Sequence, residues 1–183
     1  EVEKFLLINR PDIVIDTLAL TTSDACEKNP ELCQKLNYET AKNIADVCMK
    51  IGTKMIFISS SYIFDGKKGS YKEEDTVSPT NQYALKKIMA ENYISKLTSY
   101  LIIRIDLMYG LDGNNIKFGT GTFQGDKVEV GYPNLVRTPV FIDDVPIVID
   151  KLIMKGANGA FHVAGPQKII FLEFLKRLAS LEN

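Results

Sequence analysis

The sequence predicts a doubly wound α/β protein with a mostly parallel sheet, and three features carry that prediction. Short β-branched runs alternate with helical-period segments of about 12 to 20 residues, the rhythm of βαβ crossovers. The run "KMIFIS" is almost continuously apolar, as expected of a strand covered on both faces. The chain, 183 residues with 45% hydrophobic and 25% charged side chains, is long enough to bury one sizeable core.

Taken in order, "PDIVIDTLAL" (11–20) is a β-branched run after a proline and reads as a buried strand. A helix should follow from Asn29, with Pro30 in its first turn. Leu32, Leu36, Ala41, Ile44, Ala45, Cys48 and Ile51 recur at helical spacing until Gly52 stops it. The second strand is "KMIFIS" (54–59), and the polar tract at 65–80 is a long surface connection. A helix from about Asn81 to Lys96 leads to a third strand, "SYLIIRI" (99–105). Beyond it, "KVEV" (127–130) and "GAFHVAG" (159–165) read as strands, and "DDVPIVIDKLIMK" (143–155) and "FLEFLKRLASL" (171–181) as helices.

Bulk properties narrow the function classes. A formal net charge of -1 and a pI near 5.9 leave no cationic excess for a nucleic-acid backbone or an anionic membrane. The apolar runs are far shorter than the roughly 18 residues of a membrane span, and the first residues do not read as a signal peptide, so a cytoplasmic location is expected. Cys26, Cys33 and Cys48 form no C-x-x-C pair and are expected as reduced, mostly buried thiols. His162, the single histidine, reads as a packed strand residue, and no metal site is expected.

In parallel sheets of this kind ligands bind beyond the carboxyl ends of the strands. That directs attention to Ala19–Ser23, Ser59–Asp65 and Asp106–Gly110. The strand ending in "SSSY" is followed by "NQYALKKIMAE", in which Tyr83 and Lys87 lie one helical turn apart. The spacing alone is weak: 8 Tyr and 18 Lys in 183 positions give 8 × 18/183, about 0.8 such pairs by chance. Tyr38 and Lys42 share it, and they read as a helix surface. With Ser60 at a strand end, however, Tyr83 and Lys87 suit carbonyl reduction. A phenol is a poor acid–base catalyst at neutral pH until a nearby ammonium acts on it, and a serine hydroxyl can hold the oxygen on which charge develops. Hydride must then come from a nicotinamide cofactor, because no side chain donates it.

These residues resemble the extended short-chain dehydrogenase/reductases, and within them the dTDP-4-dehydrorhamnose reductase family. "ISSSYIFDGKKGSYKEEDTVSPTNQYALKKIMAEN" is similar to that family's I-S-T-D-Y-V-F-D-G, Y-x-E-x-D-x-x-x-P and Y-G-x-x-K-x-x-G-E segments in order. "PDIVIDTLALTTSDACEKNPELCQKLN", "LIIRIDLMYG", "RTPVFIDDV" and "GAFHVAG" match further family segments, so the resemblance covers nearly the whole chain. It implies a Rossmann-like NAD(P)-binding domain over 1–183, with small substrate-side elements within about 108–183. It also implies that the chain starts before the fourth strand of a longer protein, without the glycine-rich phosphate loop, leaving an apolar edge beside "IVIDTL".

By the same resemblance, Ser60, Tyr83 and Lys87 are the catalytic set. Tyr83 gives the proton, and Lys87 lowers its pKa and holds the nicotinamide ribose. Leu18, Ala19, Leu20 and Ser59 join Tyr83 and Lys87 along the cofactor, NADP or NAD. Ser61, Tyr62 and Leu107 face the substrate, a nucleotide-linked 4-keto-6-deoxy sugar. Whether the protein forms a homodimer stays open. Asp16, Ser61, Ala84, Asp106 and Leu107 stand where the family has Asn, Asp, Gly, Ser and Trp. In "RIDLMYG" the chain is closer to the regulatory β subunit of methionine adenosyltransferase, an NADP-binding relative. Two further readings therefore stand beside the reductase: a non-catalytic regulatory subunit, and a nucleotide-sugar epimerase or dehydratase.

Overall fold

A computed structural model describes residues 1–112, 115–118, 121–122 and 134–180. They fall into two compact units, Glu1–Arg104 with Gly156–His162, and Ile105–Lys155 with Val163 onward.

The first unit opens with α1 (Val2–Asn9), which is closed by Arg10 in the left-handed conformation. β1 (Ile13–Asp16) is shorter than the apolar run 11–20 suggests. The reason lies in the hydrogen bonds that follow it. The Leu18 N–H donates to Asp16 Oδ1 at 3.0 Å and the Leu20 N–H to Asn37 Oδ1 at 2.8 Å, so side chains take the donors a ladder would need. Next come α2 (Ser23–Lys28), a short helix capped by Thr22 that the sequence reading does not anticipate, and α3 (Pro30–Gln34). Asn29 caps α3 as expected, its side chain accepting the Leu32 N–H at 3.0 Å. The helix then widens into a π turn (Lys35–Glu39) before α4 (Thr40–Ile51), which Gly52 ends at φ 72°. Only glycine adopts that backbone without strain.

β2 (Lys54–Ser60) runs parallel to β1, and a single 3₁₀ turn (Ser61–Ile63) leads into the polar connection. α5 (Gln82–Ile94) and β3 (Tyr100–Ile105) match the expected helix and third strand, and β9 (Gly159–Val163) completes a sheet ordered β1-β2-β3-β9. β2 is central: Met55, Ile56 and Phe57 are consecutive and all at most 1% exposed, so both faces are covered, as its unbroken apolar run requires. Ala45, Cys48, Ala90 and Ile94 of α4 and α5 pack against Met55 and Phe57. Each large side chain so buried contributes about 1.5–3 kcal/mol. β1 lies at the sheet edge with Ile15 half exposed, and Phe5 and Ile8 of α1 are exposed.

The three cysteines are free and buried. Lys42 pairs with Asp46 at 2.8 Å on the helix surface as expected, but Tyr38 is half-buried and packs on the core. His162 lies on β9 with its ring edge-on to Phe64, and its Nε2 is buried without a hydrogen-bond partner.

The second unit holds a small mixed sheet that the helix-strand alternation does not reveal. β4 (Met108–Asp112) pairs antiparallel with β5 (Asn115–Phe118) and parallel with β8 (Val140–Phe141); β6 (Gly121–Thr122) extends it antiparallel to β5. β7 (Val136–Arg137) pairs with β10 (Ile169–Ile170), and α6 (Asp144–Met154) and α7 (Phe171–Ala179) are the two expected helices. The strand expected at 127–130 lies outside the described residues. Arg137 and Asp106 form a buried ion pair at 2.6 Å, and Asp106 also accepts the Thr138 N–H and hydroxyl. The aspartate that departs from the family pattern thus has an arginine to match it.

Candidate active site

The carboxyl end of β2 supplies the first group. Ser60 leaves the strand in extended conformation and its Oγ accepts the Tyr62 N–H at 3.2 Å, which starts the 3₁₀ turn. Ser60 is buried, and its hydroxyl acts on the Tyr83 phenol. Tyr83 sits in the first turn of α5, whose N-terminus is fixed by Asn81 Oδ1 accepting the Ala84 N–H at 2.8 Å. Ala84 is fully buried, so the methyl group that replaces the family's glycine is accommodated. Lys87, one turn on, is 2% exposed. Its Nζ donates to the Ile58 carbonyl at 2.8 Å, 4.4 Å from the Phe57 ring centroid and 6.0 Å from that of Tyr83. Ser60, Tyr83 and Lys87 therefore converge.

Their electrostatics differ from the expectation in one respect. Burial pushes the Tyr83 phenol up to about 12, the Ser60 hydroxyl acting against it and Cys26, Tyr62 and Cys33 adding to it. Lys87 is not what dominates Tyr83. Burial likewise brings the Lys87 ammonium down to about 8, opposed by Asp16 and Glu91. A cation that is itself poorly solvated and anchored to a backbone carbonyl exerts less pull on the phenol than desolvation does. The phenol is consequently protonated throughout the neutral range.

The loop after β1 is held from the other side. Asn37, fully buried in the π turn, accepts the Leu20 N–H and donates to the Leu20 carbonyl at 3.1 Å and to the Cys26 and Cys33 sulfurs at 3.4 Å. One amide thereby fixes both polar groups of Leu20. Leu20, Cys26 and Cys33 form a single apolar cluster with Tyr83, while Leu18 stays 47% exposed and Ala19 half-buried. Ser59 points away from Ser60: its hydroxyl bonds to Glu91, whose carboxylate binds Arg104 from Nη2 at 2.7 Å and Nε at 3.2 Å. The Ser59 side chain, expected along the cofactor, is engaged inward. Arg104 also donates to the Glu73 carbonyl at 3.0 Å, tying the polar connection to β3.

Of the expected substrate-side residues, Tyr62 is exposed and packs edge-on to Tyr83 at 6.3 Å, and Ser61 is half-buried in the 3₁₀ turn. Leu107 belongs to the second unit, where it packs on Phe174, Leu175 and Leu178 of α7. Asn37 and Glu91 were not singled out by spacing. A signal was nevertheless present: Cys33, Asn37 and Ala41, and likewise Tyr83, Lys87 and Glu91, recur every fourth residue on buried helix faces. A polar residue on such a stripe requires a partner.

Fold and site together define a Rossmann-like α/β protein with a Ser, Tyr and Lys constellation at the carboxyl end of a central strand. Residues 1–180 match the model of the RmlD substrate binding domain, and the chain belongs to that family. It is similar to the methionine adenosyltransferase 2 subunit beta of Bos taurus, 27% identical over 186 residues that span 95% of this chain and 55% of that protein. A probable low-salt glycan biosynthesis reductase, Agl14, of Haloferax volcanii is 27% identical over 179 residues, 93% of this chain and 59% of that one. Among solved structures, the dTDP-4-dehydrorhamnose reductase of Bacillus anthracis in complex with NADP superposes with a TM-score of 0.86 at 27% identity, covering 98% of this chain and 65% of the other. The chain thus spans somewhat over half the length of the relatives it matches. Among the described residues no helix is long and apolar enough to cross a membrane.

Proposed function

We propose that the protein is an NAD(P)H-dependent reductase of a nucleotide-linked 4-keto-6-deoxy sugar. The observation that carries this reading is the convergence of buried Ser60, Tyr83 and Lys87 at the end of a central strand, with the Lys87 ammonium 6.0 Å from the Tyr83 ring centroid. Support comes from the NADP named with the Bacillus anthracis relative and the reductase named in Haloferax volcanii.

The residues present suit a dinucleotide. Lys87 has three N–H donors and uses one on Ile58, which leaves two for ribose hydroxyls. The Leu18–Leu20 backbone, pinned by Asp16 and Asn37, offers a fixed wall for it. A nicotinamide dinucleotide bound there supplies the hydride to the sugar C4 carbonyl. Ser60 Oγ orients the carbonyl oxygen and donates to it as charge develops. Tyr83, protonated because burial holds its pKa near 12, gives its proton to the nascent alkoxide. A raised phenol pKa suits a proton donor in the reducing direction.

Full-length protein is expected to oxidise NADPH or NADH in the presence of a dTDP-4-keto-6-deoxyhexose, and Tyr83→Phe to slow this by about 10² to 10⁴-fold. Wild-type turnover no faster than that of Tyr83→Phe would overturn the catalytic assignment. A second reading, a regulatory subunit, is favoured by the similarity to methionine adenosyltransferase 2 subunit beta. It predicts co-purification with a methionine adenosyltransferase and no sugar reduction.

A further inference from the structure

Asp16 ends β1 and is 5% exposed. In the parallel register it lies beside Phe57 of β2. The Lys87 ammonium sits 4.4 Å from the centre of that Phe57 ring and bonds the carbonyl of the next residue, Ile58. The carboxylate and the ammonium are thus brought to the same stretch of the β1–β2 pair, both away from water. No ion pair within 4.0 Å joins them among the described residues, so they interact through the field, which is strong where water is excluded. Asp16 Oδ1 also accepts the Leu18 N–H at 3.0 Å, at the start of the loop proposed to line the dinucleotide.

We propose that Asp16 is a positioning residue that acts through Lys87: its buried carboxylate is the counter-charge that keeps Lys87 an ammonium at working pH, while its Oδ1 shapes the turn at Leu18. Among the groups facing Lys87, Asp16 opposes the loss of its proton most, and Glu91 less. Glu91 of α5 is neutralised by Arg104 and bonded by Ser59. Cys26 of α2 and Tyr83 of α5 are held neutral, each pushed up to about 12, and Cys33 of α3 is a buried thiol. Asp16 itself faces Lys87 and, from α4, the Cys48 thiol, which burial keeps protonated at about 11. Among the described groups around Lys87, Asp16 is the carboxylate with no cation of its own. Burial alone brings the ammonium low enough to lose its proton in mildly alkaline solution, and Asp16 opposes that loss.

Asp16→Asn removes the charge and keeps the acceptor oxygen for Leu18, so the turn is preserved. Titration of the Lys87 side chain, followed by the ¹³Cε resonance and assigned by its loss in Lys87→Arg, should fall in Asp16→Asn by about one pH unit. A Ser60→Ala control should leave it in place. By reciprocity, the Asp16 carboxyl should titrate higher in Lys87→Met than in wild type, and this arm decides the matter if Asp16→Asn does not fold. An unmoved Lys87 midpoint in a folded Asp16→Asn protein, or an unmoved Asp16 midpoint in Lys87→Met, overturns the proposal. The functional consequence rests on the reductase reading: the alkaline limb of kcat/KM should move down in step with the Lys87 titration. If the titrations couple but wild type reduces no keto sugar, the Asp16–Lys87 link stands and the reductase reading falls.

Discussion

At the scale of single residues, the site is built from side chains whose second partner matters as much as their chemistry. Asn37 bonds both polar groups of Leu20 with one amide, so Asn37→Ala strands the half-buried Leu20 N–H and leaves the carbonyl only the Cys26 thiol at 3.5 Å. A loss of about 1–3 kcal/mol in unfolding free energy is expected in denaturant titration, with a weaker dinucleotide Kd because the Leu18–Leu20 wall loosens. Glu91→Gln leaves Arg104 buried without its carboxylate, and a cost of about 3–5 kcal/mol is expected by the same measurement. The convergence of Ser60, Tyr83 and Lys87 was legible because strand end, helix turn and chemistry agree. The roles of Asn37 and Glu91 were not: their partners lie 17 and 13 residues away, and the pairing emerges only once β3 and the π turn are in place. The balance at Tyr83 was hidden for another reason. Whether an ammonium or desolvation governs a phenol depends on burial, and one-turn spacing is silent about burial.

At the scale of elements, caps and close approaches decide where the groups are presented. Asn81 holds the N-terminus of α5, one residue before the helix that carries Tyr83 and Lys87. Asn81→Ala is expected to cost about 1 kcal/mol of stability and, under the proposed reductase function, to lower kcat more than it raises KM, because the first turn of the helix frays beneath Tyr83. In the second unit, a Cβ at Gly165 would stand 1.7 Å from the Pro139 carbonyl oxygen, and the Gly165 N–H donates to the Thr138 carbonyl at 3.0 Å. Gly165→Ala must push backbone against backbone, and destabilisation of at least about 1–3 kcal/mol is expected in thermal or denaturant unfolding. The helices after Asn29 and Asn81 and the apolar strands 54–59 and 99–105 were legible from periodicity and caps. The end of β1 at Asp16 was not, since it depends on Asn37 reaching across 17 residues. Nor was the mixed sheet of the second unit, whose strands are two to five residues long and too short for a clear period.

At the scale of the whole molecule, two buried groups leave a signature on stability against pH. Lys87 titrates near 8 in the fold and at its ordinary value of 10.5 when unfolded, so between these the unfolded chain binds more protons. The stability contribution of Lys87 therefore rises with pH across that window and is lost as pH falls through 8. Tyr83 has the opposite sign: its phenol stays protonated to about 12 in the fold against 10 outside it, so its contribution is full below 10 and lost as pH rises toward 12. Denaturant unfolding of wild type and Lys87→Met should show the first rise in wild type between pH 8 and 9 and its absence in the variant. From pH 9 upward the Cys26 and Cys48 thiols, pushed up to about 12 and about 11 in the fold, act in the opposite direction in both proteins.

The chain as a whole presents a sheet ordered β1-β2-β3-β9, with the serine at the end of a strand buried on both faces and the tyrosine and lysine on the helix beside it. If that arrangement reduces a carbonyl, full-length protein given NADPH or NADH carrying two deuterium atoms at nicotinamide C4 and a dTDP-4-keto-6-deoxyhexose should yield sugar carrying one deuterium at C4 with at least one of the two cofactors. Tyr83→Phe should slow its formation by about 10² to 10⁴-fold. Sugar recovered without deuterium from either cofactor, or labelled equally fast by Tyr83→Phe, would contradict it.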